Sequence, residues 1–344
     1  MPIYAQGDDA VVAVLEAVDA TVNGPVRGWI ERLGPQGVKW RYELENLPPG
    51  TDFETTLAVP QPGQPALLVV TFQTPYAPEG GRYGQALSID LDSGKVDVVV
   101  PLGYPRIQGQ RKPDNDDRLH VFGALRLKDG RLAVYGGDDA GPYRWWVGLR
   151  GAEGDFLWDA GAPRRGFGEA QDLRETATGL EVLVNAIAYT VDFRDRHLLI
   201  RLGRTGHILG VEDLGSLGAS EMAFVGADRM MVAAEEDGDY VVRLRGPGKA
   251  VLELGRLPRE THFDSQAGPY LVFVSLGGTR WFLPVDESAP PLFPDGIEGP
   301  PVDGRYVIDA NGRPVQYALQ QKCLEERDQG ECRRLELTLA RIEF

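Results

Sequence analysis

The four histidines of this chain, His120, His197, His207 and His262, are its best-suited residues for holding a transition metal, and a ring of imidazoles could hold iron. Such a ring needs every histidine at the same depth on neighbouring strands. His207 follows a turn glycine and His197 sits in the charged run FRDRH, which leaves at most His120 and His262 for the ring. Oxygen ligands are more plentiful. Asp114-Asn115-Asp116-Asp117 precedes an apolar run, and Glu235-Glu236-Asp237-Gly238-Asp239 spans an Asp-Gly turn. Hard cations take such carboxylates, so a bound cation is expected to be calcium, with Asp114, Asp116 and Asp117 as its ligands. Neither run has the alternating spacing of a calcium loop, and solvated turns account for both. The chain has no G-x-S-x-G elbow, HExxH helix, P-loop or G-x-G-x-x-G turn, so nucleophilic, zinc-peptidase and nucleotide chemistry lack a motif. A pair of carboxylates drawn from distant parts of the chain could still hydrolyse a substrate, and sequence spacing carries no signal for that.

The two cysteines, Cys323 and Cys332, lie in KCLEERDQGEC, with Asp328-Gln329-Gly330 as a turn near the middle. In a hairpin they would face each other with Cα atoms about 4.5–5.5 Å apart, which suits a disulfide. Closing so short a loop contributes roughly 2–3 kcal/mol. The pair therefore points to the periplasm or the extracellular space, with reduced thiols in a cytoplasmic protein as the alternative. No histidine lies within 60 residues of the pair, which disfavours a zinc site. The opening MPIYAQGDD has neither a basic n-region nor an apolar h-region, so the sequence reads as a mature form without a signal peptide.

Aromatic and arginine residues supply a third kind of chemistry. Tyr143-Arg144-Trp145-Trp146 would alternate along a strand, with one tryptophan in the core and the other less buried. Arg164-Arg165-Gly166-Phe167 falls in a charged connection. Such residues anchor protein interfaces, so Tyr143, Arg144, Trp145, Arg164, Arg165 and Phe167 are the expected partner contacts. The net charge of −15 opposes nucleic acid and anionic membranes and fits a protein partner of basic character. The longest apolar runs, residues 66–72 (ALLVVTF) and 270–276 (YLVFVSL), have strand length and fall far short of the roughly 18–20 residues of a membrane span.

The elements that must position these residues are strands. With 344 residues, 43 Gly and 25 Pro spread along a chain that is 42% hydrophobic, the composition describes many short strands joined by many turns. One element recurs: a strand ending in Leu, a polar turn with Gly, then another apolar strand. It occurs from Leu33 to Gly37, Leu91 to Gly94, Leu149 to Gly154, Leu202 to Gly206 and Leu244 to Gly248. The closing glycines are 57, 60, 52 and 42 residues apart, the period of a blade with insertions. Further hairpins are expected at residues 118–137, 180–193 and 222–234. The expected fold is all-β, a single β-propeller of seven four-stranded blades near 10–47, 65–102, 118–162, 179–216, 220–257, 264–295 and 303–344. A count of six or eight also fits the uneven spacing. Residues 48–65 and 287–301 read as Pro- and Gly-rich connections, and residues 167–178 as the one stretch with a turn or two of helix.

The spacings from Gly37 to Trp40 and from Gly154 to Trp158 resemble the turn-and-tryptophan ending of quinoprotein-like and WD-like propeller repeats. That resemblance implies the fold class and kinship with envelope propellers that act as assembly or binding factors. No residues for a quinone are found, and no cofactor is expected. The function that follows is a non-catalytic, monomeric binding propeller of the bacterial envelope that grips a protein partner. A toxin-neutralising immunity protein or an assembly factor would be one version. The alternative is a hydrolase with carboxylates or a divalent cation in the central funnel.

Overall fold

The computed structural model describes residues 4–6, 9–18, 24–34, 36–61, 64–73, 82–107, 119–138, 144–161, 168–187, 195–215, 220–226, 228–246, 250–286, 288–290, 292–299, 304–309, 311–326 and 332–344. Among them every regular element is a strand. The 27 strands form seven antiparallel sheets, six of four strands and one of three, each in sequence order. The fold is a seven-bladed β-propeller, with blades at 4–44, 52–103, 119–161, 169–215, 220–258, 261–298 and 304–343. No helix of the described residues is long and apolar enough to cross a membrane. The chain forms two compact units: Leu15–Gly28 with Leu44–Arg259, and Met1–Val14 with Trp29–Glu43 and Glu260–Phe344.

The pattern of the middle strands explains the architecture. In blade three both Leu132–Asp138 and Arg144–Arg150 are buried at every residue, which requires cover on both faces of the sheet. Trp145 packs with Val182, Val184 and Ile200 of blade four, whereas Trp146 packs with Leu67, Val69 and Leu102 of blade two. Both tryptophans are core, 4% and 1% exposed, which corrects the expectation that one would be less buried. In the other unit Val272 and Phe282 of blade six pack with Tyr306 of blade seven.

The recurring Leu–turn–Gly element is the turn between the third and fourth strands. Gly37, Gly94, Gly154 and Gly206 all have positive φ, and Leu149, Leu202 and Leu244 are buried. Gly248 lies outside the described residues. The turns also join blades. A Cβ on Gly206 would stand 2.7 Å from the ring of Trp158, on the fourth strand of blade three, and the Trp158 indole N–H donates to the Arg204 carbonyl at 2.9 Å.

Several sequence expectations are corrected. Residues 48–65 contain the first strand of blade two, Asp52–Gln61, and residues 287–301 contain the last strand of blade six, Leu292–Glu298. The latter keeps Pro294 and Gly296 because an edge strand tolerates both. Residues 167–178 hold the strand Glu169–Glu175 instead of a helical turn. Ala170 pairs with Val184 and Asp172 with Leu183, so Gln171 is a bulge and buried Ala170 and Leu173 stand three apart, as on a helix. Residues 179–187 form one strand, Gly179–Ile187, rather than half of a hairpin inside 180–193. His197 lies within the strand Asp195–Gly203, fully buried, and not in a turn. In the last blade the register pairs Cys323 with Leu335 and Cys332 with Glu326. The side chains of both cysteines lie outside the described residues.

The Gly206 clamp makes a measurable claim. Gly206→Ala adds left-handed strain of about 1–2 kcal/mol and overpacking against Trp158 of about 1–3 kcal/mol. Gly238, at φ 94° with nothing within 4 Å of an added Cβ, carries the strain alone. Denaturant unfolding of both alanine variants should therefore show Gly206→Ala losing more stability, and equal losses would remove the clamp.

Candidate functional site

The first strands of blades two to five lie side by side: Asp52–Gln61, Leu119–Arg126, Glu169–Glu175 and Ser220–Val225. Several of their polar groups reach across to neighbouring blades. Burial raises the pKa of the Glu169 carboxyl, and the charge of His120 on the neighbouring strand acts in the opposite direction. The Gln171 amide donates to Glu169 at 3.5 Å. Glu221, on the next first strand, accepts the Tyr240 hydroxyl at 2.6 Å. Burial, and then the charge of Glu221, push the Tyr240 phenol far above its usual range. A partly buried carboxyl that feels the charge of an imidazole on the adjoining strand is a candidate for proton transfer.

The most connected carboxylate is Asp172. Its Oδ1 accepts the Leu173 amide at 2.7 Å and the Tyr135 hydroxyl at 3.2 Å, and its Oδ2 accepts the Phe224 amide at 2.6 Å. One partly buried side chain thus holds blades three, four and five together. Burial raises its pKa to about 6, partly offset by these three donors. Burial followed by the Asp172 charge drives the Tyr135 phenol well above its usual value.

Several other charges are paired, which offsets the cost of desolvation where they are buried. Asp138 binds Arg144 at 3.0 Å and accepts the Tyr104 hydroxyl at 3.2 Å, and Asp159 binds Arg150 at 2.8 Å. Glu181 takes both Arg174 and Arg201, and Glu236 pairs with Arg243. Among the described residues no group of three or more His, Cys, Asp and Glu side chains could hold a metal. Of the histidines, His120 and His262 lie on first strands, His197 is interior, and His207 sits in an outer turn 2.7 Å from the Thr205 hydroxyl.

Two surfaces remain. A cleft of about 370 Å³ opens between blades three and four, where the turns near Asp129, Thr176 and Arg204 meet over Leu149, Leu180 and Trp158. The second surface is formed by fourth strands, which stand at sheet edges. Phe156 and Leu157 of blade three, Ile208, Leu209 and Val211 of blade four and Leu252 of blade five are 40–55% exposed. Arg106 and Arg150 stack over the Phe156 ring, 4.6 and 5.0 Å from its centroid.

Arg144 and Trp145, expected at a partner-facing rim, are interior, 5% and 4% exposed: Trp145 packs against blade four, and Arg144, on the opposite face, is paired with the buried Asp138. Tyr143, Arg164, Arg165 and Phe167, and the expected calcium ligands Asp114, Asp116 and Asp117, lie outside the described residues. Sequence reasoning missed Asp172, whose partners are 37 and 52 residues away. It also missed the exposed fourth strands, although the turn glycines mark where those strands begin.

No protein-family model matches the chain, and neither does any curated protein. Among solved structures, the WD40 repeats of RRP9 are similar at 12% identity and a TM-score of 0.41, over 85% of this chain and 86% of that one. A europium-containing methanol dehydrogenase is similar at 10% identity and a TM-score of 0.40, over 92% of this chain and 72% of that one.

Asp172 links the blades to pH. Its folded pKa, about 6, lies above the ordinary value of 3.8, so the native state binds the proton more tightly than the unfolded chain. Its contribution is complete below the unfolded pKa and is lost as pH rises through about 6, an effect of about 3 kcal/mol. The Asp172 carboxyl carbon should titrate near pH 6 by NMR. Relative to Asp172→Asn, the wild type should lose stability between pH 4 and pH 7. A titration near pH 4 would show the carboxylate to be solvated.

Proposed function

We propose that this chain is a non-catalytic binding propeller and that a protein partner docks on the fourth strands of blades three to five. The observation that supports this is the run of exposed apolar side chains on three successive edge strands, Phe156–Gly161, Ile208–Gly215 and Leu252–Pro258. Soluble proteins seldom leave such a run uncovered. An edge strand also offers N–H and C=O groups to which a partner strand can add, with alternate side chains setting specificity. The net charge of −15 favours a basic partner, drawn in by long-range attraction. An envelope or extracellular setting, and a role in neutralising a toxin or assisting assembly, belong to the same reading. They rest on that charge; the register, which sets Cys323 opposite Leu335 and Cys332 opposite Glu326, leaves the two cysteines out of line for a direct bridge.

The second reading, a hydrolase, has one observation in its favour: Glu169, with its raised pKa, beside His120. Glu169→Gln should then abolish turnover while leaving partner capture intact.

Ile208→Glu with Val211→Glu should leave the melting temperature within about 2 °C, as exposed substitutions do. The same double variant should abolish a partner cross-linked by the wild type in native extract, and association should slow with added salt. An identical cross-linked set from both proteins would sink the edge-strand surface.

A further inference from the structure

The cleft between blades three and four has a chemistry that the apolar edge strands lack. Its floor is apolar, formed by Leu127, Leu149, Leu180 and the Trp158 ring. The indole is fixed by its bond to the Arg204 carbonyl and by Gly206 beneath it. Its walls carry three cations and two carboxylates, and their pairing is uneven. Arg131 and Asp129 bind each other at 2.7 Å. The Glu175 carboxylate accepts the Lys128 backbone amide at 3.0 Å, leaving the Lys128 ammonium without a carboxylate among the described residues. The Arg204 guanidinium donates to the Ala177 carbonyl at 3.2 Å and meets no carboxylate there either. On a chain of net charge −15, the cleft therefore joins a greasy floor to two cations that no carboxylate of the described residues pairs.

We infer that this cleft binds the C-terminus of a protein partner, the last side chain on the apolar floor and its α-carboxylate between Lys128 and Arg204. The inference rests on the protein-binding reading and names what that partner presents. A volume of about 370 Å³ lies in the range of ligand pockets and suits one large apolar residue with its terminal carboxylate. A peptide terminus has both halves of the required chemistry in one residue, and charge-assisted bonds from two cations give the carboxylate most of its grip. The cleft also adjoins the exposed strands: Trp158 follows Leu157, and the turn that carries Arg204 leads into Ile208.

Fluorescence anisotropy on the full chain tests the inference, with fluorescein-labelled hexapeptides randomised at five positions and ending in Leu, Val or Phe. Free-acid pools should bind, C-terminal amidation should weaken binding by at least about tenfold, and Lys128→Glu or Arg204→Glu should do the same with an unchanged melting temperature. No binding, or equal binding of acid and amide pools, overturns the inference. Equal competition by 3-phenylpropionate also overturns it and assigns the cleft to small carboxylates. If the Ile208→Glu/Val211→Glu double variant loses partner capture while the two cation variants keep it, the protein-binding reading stands and the C-terminal pocket falls.

Discussion

Blade sheets whose middle strands are apolar on both faces must be covered on both faces. Arg144–Arg150 puts Trp145 and Trp146 on opposite sides, and neither can meet water without exposing one of the largest side chains in the core. A two-layer sandwich covers only one face of each sheet. Stacking sheet upon sheet covers both, and that demand turns a meander of four strands into a blade. The buried pairs Asp138–Arg144 and Asp159–Arg150 obey the same demand, since charges carried into such an interior need partners beside them.

Polar residues on the first strands add specificity to this apolar stacking. Asp172 takes donors from blades three, four and five, so it bonds fully only when those sheets sit at one spacing and register. Its raised pKa is the electrostatic counterpart of that position: burial opposes the charge and three donors recover part of the loss. Hydrophobic contact alone would tolerate some sliding of one sheet over another. A carboxylate with three directional partners does not.

The middle strands were legible in the sequence because a strand covered on both faces reads as an unbroken apolar run, as in ALLVVTF. The turns were legible because positive φ selects glycine, as at Gly94, Gly154 and Gly206. First strands were harder to read. The bulge at Gln171 shifts the buried positions from every second residue to a spacing of three, so EAQDLRE mimics a helix. Arg144 and Trp145 looked like surface anchors because composition reports residue type and not which sheet covers it. Asp172 carried no local signal at all, since its meaning lies in a hydroxyl and an amide from other blades.

The fourth strands show how stability and binding divide one element. In blades three and four this strand begins with a register shift, leaving Leu157 and Leu209 unpaired, and such bulges discourage edge-to-edge association. Past the bulge the two strands differ in what they face. Trp158 turns toward blade four and is locked there by Gly206, becoming both a joint between sheets and a rigid wall of the cleft. Val211 turns outward with nothing over it. A wall already fixed by folding loses little further freedom when a ligand arrives, which favours affinity at that point. An uncovered edge beyond a protective bulge is instead guarded at its start and open along its length. The turn that joins two blades therefore also determines where a partner can reach them.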